Sequence, residues 1–189
     1  MRRPALNSPF KRGDFFCTIS PSNIIGKSIA VIQKYRTIGL PSNATHAGIF
    51  IDENTVFESQ WRGGRNNVWD HYEGVDFLVG RWKGMTDEKF DRAWAEIQKL
   101  EGKFYPVPRL LLFMLFPMAV QLITPMKYLG LGYFAPLVCS EKTGKFFHIA
   151  KFSVFDEYLG MMPARIAQII RRDKDVEIIH DKAPLRRLK

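Results

Sequence analysis

The chain has 189 residues, 46% apolar and 13% aromatic, enough to bury one full core but not two, so residues 1–189 are expected to form a single domain. Its 28 basic and 19 acidic side chains give a net charge of +9, yet residues 1–12 hold four basic side chains and no acid, and residues 171–189 hold seven basic against four acidic. The body between them is nearly neutral, so nothing points to a polyanion or nucleic acid in the main cleft, and the basic tails, 1–12 and about 180–189, read first as solvated ends and second as a contact for an anionic partner or a membrane surface.

Gly13-Asp14 leads into the apolar run 15–19, expected as the first strand. Ser22 or Asn23 is placed to cap a helix with Ile25, Ile29, Ile32 and Tyr35 at helical spacing, ending near Gly39. Residues 45–51 and 55–60 read as two strands around Asp52-Glu53-Asn54, with further strand-like runs near 67–71 and 75–82. Thr86 caps the next helix. Asp87 and Glu88 lie in its first turn, Phe90, Ala93, Trp94, Ile97 and Leu100 recur on one face, and Gly102 stops it. Residues 110–126 carry no charge, but at 17 residues, interrupted by Pro117 and Pro125, they fall short of the ~20 that a spanning helix needs. This segment is expected as a buried, proline-broken helix or as an apolar lip for a lipid-like substrate. Pro136 suits the start of a helix running to about Ile149, which puts Cys139 in the first turn, and a helix at 164–172 and a short strand at 176–179 close the chain.

Cys17 and Cys139 are too few for a disulfide framework and fit no zinc-ligand spacing, which suits a reducing compartment. Arg2 and Arg3 are not followed by an apolar run, so no secretory signal is expected and the chain reads as cytoplasmic at synthesis. His46, His71, His148 and His180 form no metal motif, and neither a phosphate loop nor a dinucleotide fingerprint is present, so neither metal nor cofactor is expected.

A three-residue loop at 52–54 pairs Gly48 with Glu58 and His46 with Gln60, which sets His46 and Glu58 on one face as diagonal neighbours. Ala47, Ile49, Ile51 and Phe57 take the opposite, core-facing side, leaving His46, Gly48 and Glu58 turned toward a cleft, with Gly48 giving room for approach. A loop of two or four residues would instead bring Ser59 beside His46. Cysteine reacts as thiolate, and a helix N-terminus together with an imidazolium lowers its pKa. Cys139 has the first by position and gains the second if the sheet carries His46 to it, with Glu58 fixing the ring. Ser140 lacks a nucleophile-elbow sequence and points about 100° away from Cys139 on its helix. Asp70-His71 is an alternative orienter or base at the end of a polar turn.

GDFFCT at 13–18, THAGIF at 45–50, FES at 57–59 and LVCSEKTG at 137–144 together resemble, in this order, the circularly permuted branch of the NlpC-type papain-like cysteine peptidases, whose members include the YiiX-like proteins and, more distantly, the lecithin retinol acyltransferase group. GKFYPVPRLL at 102–111 and MPARIAQII at 162–170 extend the likeness over nearly the whole chain. The resemblance implies an α+β fold, an antiparallel sheet packed against helices with the Cys at a helix N-terminus. It also implies a catalytic triad of Cys139, His46 and Glu58 performing cofactor-free acyl transfer as a thiol hydrolase. The backbone N–H of Cys139 then supplies one oxyanion donor. Two substrate classes follow from it, a peptide amide such as a cell-wall peptide and a lipid ester or amide. Glu58 leans toward the peptide, since acyltransferase relatives carry His at the third position, while 110–126 leans toward lipid. A non-catalytic binding module on the same fold is the third reading. The sequence departs from the family at Lys142-Thr143-Gly144, where aliphatic residues are usual.

Overall fold

The computed structural model describes residues 8–19, 43–59, 63–103 and 139–184. The helix expected over 23–39, Gln60, the segment 110–126, Pro136 and the outermost residues of both tails lie outside the described residues.

The described chain is α+β. Strands β1 (Phe15–Thr18), β2 (His46–Phe50), β3 (Thr55–Ser59), β4 (Gly63–Asn67), β5 (Asp76–Trp82) and β6 (Val176–Pro184) form one sheet in the order β4-β3-β2-β1-β5-β6, with every neighbouring pair antiparallel. The β2–β3 hairpin pairs Gly48 with Glu58, as the three-residue loop requires. Asp52 fixes that loop: its Oδ1 accepts the N–H groups of Asn54 and Thr55, each at 2.8 Å, and Ile51 N–H donates to the Thr55 carbonyl.

Two of the expected strands need correction. Residues 67–71 are not a strand: the strand is β4, followed directly by the short helix α1 (Val68–His71), because the Asn67 side chain accepts the N–H groups of Trp69 and Asp70 and acts as an N-cap. β4 itself reads GGRNN, without an apolar side chain, and is extended because β3 pairs with it from Thr55↔Asn67 to Ser59↔Gly63. The closing strand is also longer than 176–179, running to Pro184 along β5.

Helix α2 (Asp87–Ile97) starts at the Thr86 cap, whose hydroxyl accepts Lys89 N–H, and buries Phe90, Ala93 and Ile97. It passes into a 3-10 turn at Gln98–Leu100, and Gly102 takes φ +75° just beyond. Helix α3 (Cys139–Ile149) ends in a Schellman arrangement, with Phe152 N–H on the Phe147 carbonyl, Lys151 N–H on the His148 carbonyl and Lys151 left-handed at φ 67°. Helix α4 (Pro163–Arg172) has Pro163 at its start and buries Ile166, Ala167, Ile169 and Ile170.

The sheet carries a core on each face. One face, with Phe15, Cys17, Ala47, Ile49, Phe57 and Leu78, packs under α2, α3 and α4 against Phe90, Ile97, Phe146, Phe147 and Ile169. The other, with Phe16, Phe50, Val56, Phe77 and Val79, is covered by Phe10, Val68, Trp69 and Tyr72. The expected open cleft over Gly48 is therefore corrected. A Cβ on Gly48 would lie 2.6 Å from Phe16 Cε1, so the glycine makes room for an aromatic ring of the second core. Among the described residues, no helix is long and apolar enough to cross a membrane.

Candidate active site

Helix α3 packs against β2 and β3 with Cys139 at its described start and Phe146 and Phe147 anchored in the core. Its first turn is polar and buried, and three of its side chains lock it in place. Ser140 Oγ donates to the Met161 carbonyl at 2.6 Å, Thr143 Oγ1 to the Cys139 carbonyl at 3.1 Å, and Glu141 Oε1 accepts Gly160 N–H at 2.7 Å. One turn further, a Cβ on Gly144 would come within 2.7 Å of Tyr158 Cβ, so a glycine lets the helix and the 158–161 loop meet.

The structure brings all three sequence-predicted residues together. His46 opens β2 and hydrogen-bonds Cys139. Its Nε2 lies 2.6 Å from Glu58 Oε2, which leaves Nδ1 as the ring nitrogen for the thiol. Glu58, on β3, is 2% exposed. A lone carboxylate at that depth is costly, and the second core supplies its partners: Tyr72 Oη donates to Oε2, and Asn66 Nδ2 donates to Oε1 at 2.6 Å. His71 Nε2 stands 3.9 Å from Oε1, so the Asp70-His71 alternative reaches the acid rather than the thiol.

The electrostatics form a chain. Burial pushes the Glu58 carboxyl up, but the hydrogen bonds and charge of His46, with the bonds from Tyr72 and Asn66, more than offset it and hold the group below its ordinary 4.5. Burial works against the charged imidazole of His46, yet the Cys139 thiolate and Glu58 together raise it to about 10. Burial also pushes the Cys139 thiol up; the His46 charge and hydrogen bond, with the backbone N–H groups of Ala47 and Ser140, outweigh it and bring the thiol below 9.0. Cys17 shows the contrast. It sits in the core, where burial pushes it up to about 12 and the charge of Arg171 offsets only a smaller part.

Sequence reasoning missed Asn66 and Tyr72, which no periodicity links to Glu58, and it left Ser59 only as a rival neighbour of His46. Ser59 instead meets the other side of the site, where its Oγ lies 2.9 Å from Lys142 Nζ. Among the described residues, no group of three or more His, Cys, Asp or Glu side chains is placed to hold a metal ion. No protein-family model matches the chain, and no curated protein matches it.

Proposed function

We propose that this protein is a cysteine-dependent hydrolase of amide bonds on a circularly permuted papain-like fold, with Cys139 as nucleophile, His46 as base and Glu58 as the group that orients the ring. The observation that carries this reading is the contact between Cys139 and His46, with the far ring nitrogen held 2.6 Å from Glu58. That is a nucleophile, base and orienter in hydrogen-bond reach of one another.

The thiolate attacks the amide carbonyl, forming the S–C bond, and the imidazolium donates its proton to the departing amine as the C–N bond breaks. His46, now neutral, takes a proton from water. The hydroxide so formed attacks the thioester carbonyl, the S–C bond breaks to release the acid, and Cys139 leaves as thiolate beside the imidazolium that holds the water's proton. Glu58 stays ionised throughout and holds the ring. A peptide amide is the favoured substrate, because the third position holds the acid Glu58 where the acyltransferase group carries His.

Alkylation with iodoacetamide across pH tests the proposal. Cys139 should react well below pH 9, Cys17 should stay inert in the folded protein, and His46→Ala should move the Cys139 profile to higher pH. Equal behaviour of the two cysteines removes the nucleophile from the mechanism.

A further inference from the structure

Of the buried polar side chains in the first turn of α3, Ser140, Glu141 and Thr143 hold backbone groups, as described, but Lys142 does not. It is 3% exposed, and among the described residues its Nζ has a hydroxyl partner, Ser59 Oγ at 2.9 Å, and no carboxylate partner. A hydroxyl accepts the hydrogen bond but brings no countercharge, so among the described residues the anion that acts on the ammonium is the Cys139 thiolate, whose charge is lost once it bonds to the acyl group. A Cβ on Gly63 would lie 2.4 Å from the Leu100 carbonyl oxygen and 2.9 Å from Nζ, so a glycine at the start of β4 lets the Leu100 backbone approach and leaves the amine beside it undisturbed. The groups facing it are the Cys139 sulfur on its own helix, Ser59 at the end of β3 and Lys103 beyond Leu100. Cys139 and Lys142 are three residues apart on one helix face, about 4.5 Å along its axis.

We propose that Lys142 is a specificity-determining residue, whose ammonium binds a carboxylate carried by the acyl donor within a few bonds of the scissile amide. This rests on the reading of Cys139 as nucleophile. One ammonium and one hydroxyl match a single monoanion, whereas a phosphate dianion is usually met by several donors or an arginine fork. In a peptide, the matching group is a free α-carboxylate or an acidic side chain beside the cleaved bond. Burial weakens the charged form of Lys142, bringing the amine down to about 8, with the Cys139 charge working against that shift and Lys103 adding to it.

The test uses two alkylating agents of nearly one size, iodoacetate and iodoacetamide. With each, Cys139 Sγ forms a bond to the CH2 carbon as the C–I bond breaks and iodide leaves with the electron pair; only iodoacetate brings a carboxylate. The ratio of the two rates at Cys139, read by peptide mass spectrometry, cancels any effect of Lys142 on the thiolate itself. Lys142→Gln should lower the iodoacetate to iodoacetamide ratio roughly tenfold, the scale of one partly screened charge pair, and Lys142→Arg should largely restore it. An unchanged ratio in Lys142→Gln, with both reagents still modifying Cys139, overturns the proposal while leaving the hydrolase reading intact. No reaction of wild-type Cys139 with either reagent removes the hydrolase reading and the proposal with it. Should Lys142→Gln not fold, the wild-type ratio against pH decides: it must fall through pH about 8 as the amine loses its proton. A ratio that stays flat there and falls only near pH 10, where His46 titrates, overturns the assignment to Lys142.

Discussion

Replacing Glu58 with Gln removes a charge that is 2% exposed and keeps the side chain's shape. The carboxylate accepts from His46 Nε2 at 2.6 Å, Asn66 Nδ2 at 2.6 Å and the Tyr72 hydroxyl. A carboxamide offers one oxygen and an NH2, so the oxygen can keep His46 and Tyr72 while Asn66 turns over to present its own oxygen. The bonds survive in number but lose their charge assistance, about 1 kcal/mol each, and relief of the buried carboxylate's desolvation offsets part of the loss. The expected net cost at pH 7 is about 1–3 kcal/mol, or a melting point lower by about 2–4 °C for each kcal/mol. The pH dependence distinguishes this from simple loss of packing. Because the folded carboxyl titrates below its ordinary 4.5, its contribution is present above that value and is lost as pH falls through the lower folded one. Urea titrations of wild type and Glu58→Gln should therefore diverge at pH 7 and draw together at an acid pH below 4.5. In the same variant the His46 ring loses its anion, so alkylation of Cys139 should move to higher pH. A stability difference that is the same at both pH values, or a Cys139 profile that does not move, refutes the reasoning.

Gly48→Ala sets a Cβ 2.6 Å and 2.7 Å from two atoms of the buried Phe16 ring. Overpacking of about 1–3 kcal/mol should exceed the ~0.4–1 kcal/mol gained from a stiffer unfolded chain, so the urea midpoint should fall. An unchanged midpoint means that this face is open. His46 should titrate near pH 10 by NMR of its ring carbon, and Cys139→Ala should lower that value by removing the thiolate while Glu58 remains. Since the folded value lies above the ordinary 6.5, this ionisation stabilises the fold fully below pH 6.5 and progressively less as pH rises through 10. A ring that titrates near its ordinary value with Cys139 intact rules out the ion pair.

What the sequence revealed follows from where each signal resides. The Gly48↔Glu58 register and the shared face of His46 and Glu58 were legible because a loop length and a period of two determine both. Helix α2 was legible from its Thr86 cap and the spacing of Phe90, Ala93 and Ile97. β4 was not, because GGRNN has no apolar side chain to mark it and is a strand only through its pairing with β3. The partners of Glu58 were hidden for a related reason. Tyr72 reaches the acid because Asn67 ends β4 and turns the chain into α1, and such a contact leaves no periodic trace in the sequence. Gly48 was read as space for a substrate when it is space for Phe16, since a missing Cβ announces a close approach without naming what approaches.

The two faces of the sheet do different work at this site. The helical face holds the thiol: Phe146 and Phe147 fix α3, and the start of that helix brings Cys139 and Lys142 to the ends of β2 and β3. The aromatic face holds the acid, with Tyr72 and Asn66 bonded to Glu58 among Phe16, Phe50 and Phe77. His46, its side chain 17% exposed at the start of β2, is the group that touches both. The acid is therefore screened little by water and acts strongly on the ring, and the ring in turn acts on a thiol nearly as dry. Such a chain has a cost in stability, because each of its charges would be better solvated outside. It persists because each charge faces an opposite one, and the rings of Phe16 and Tyr72 lie beside the imidazole at 6.3 Å and 6.5 Å between centroids.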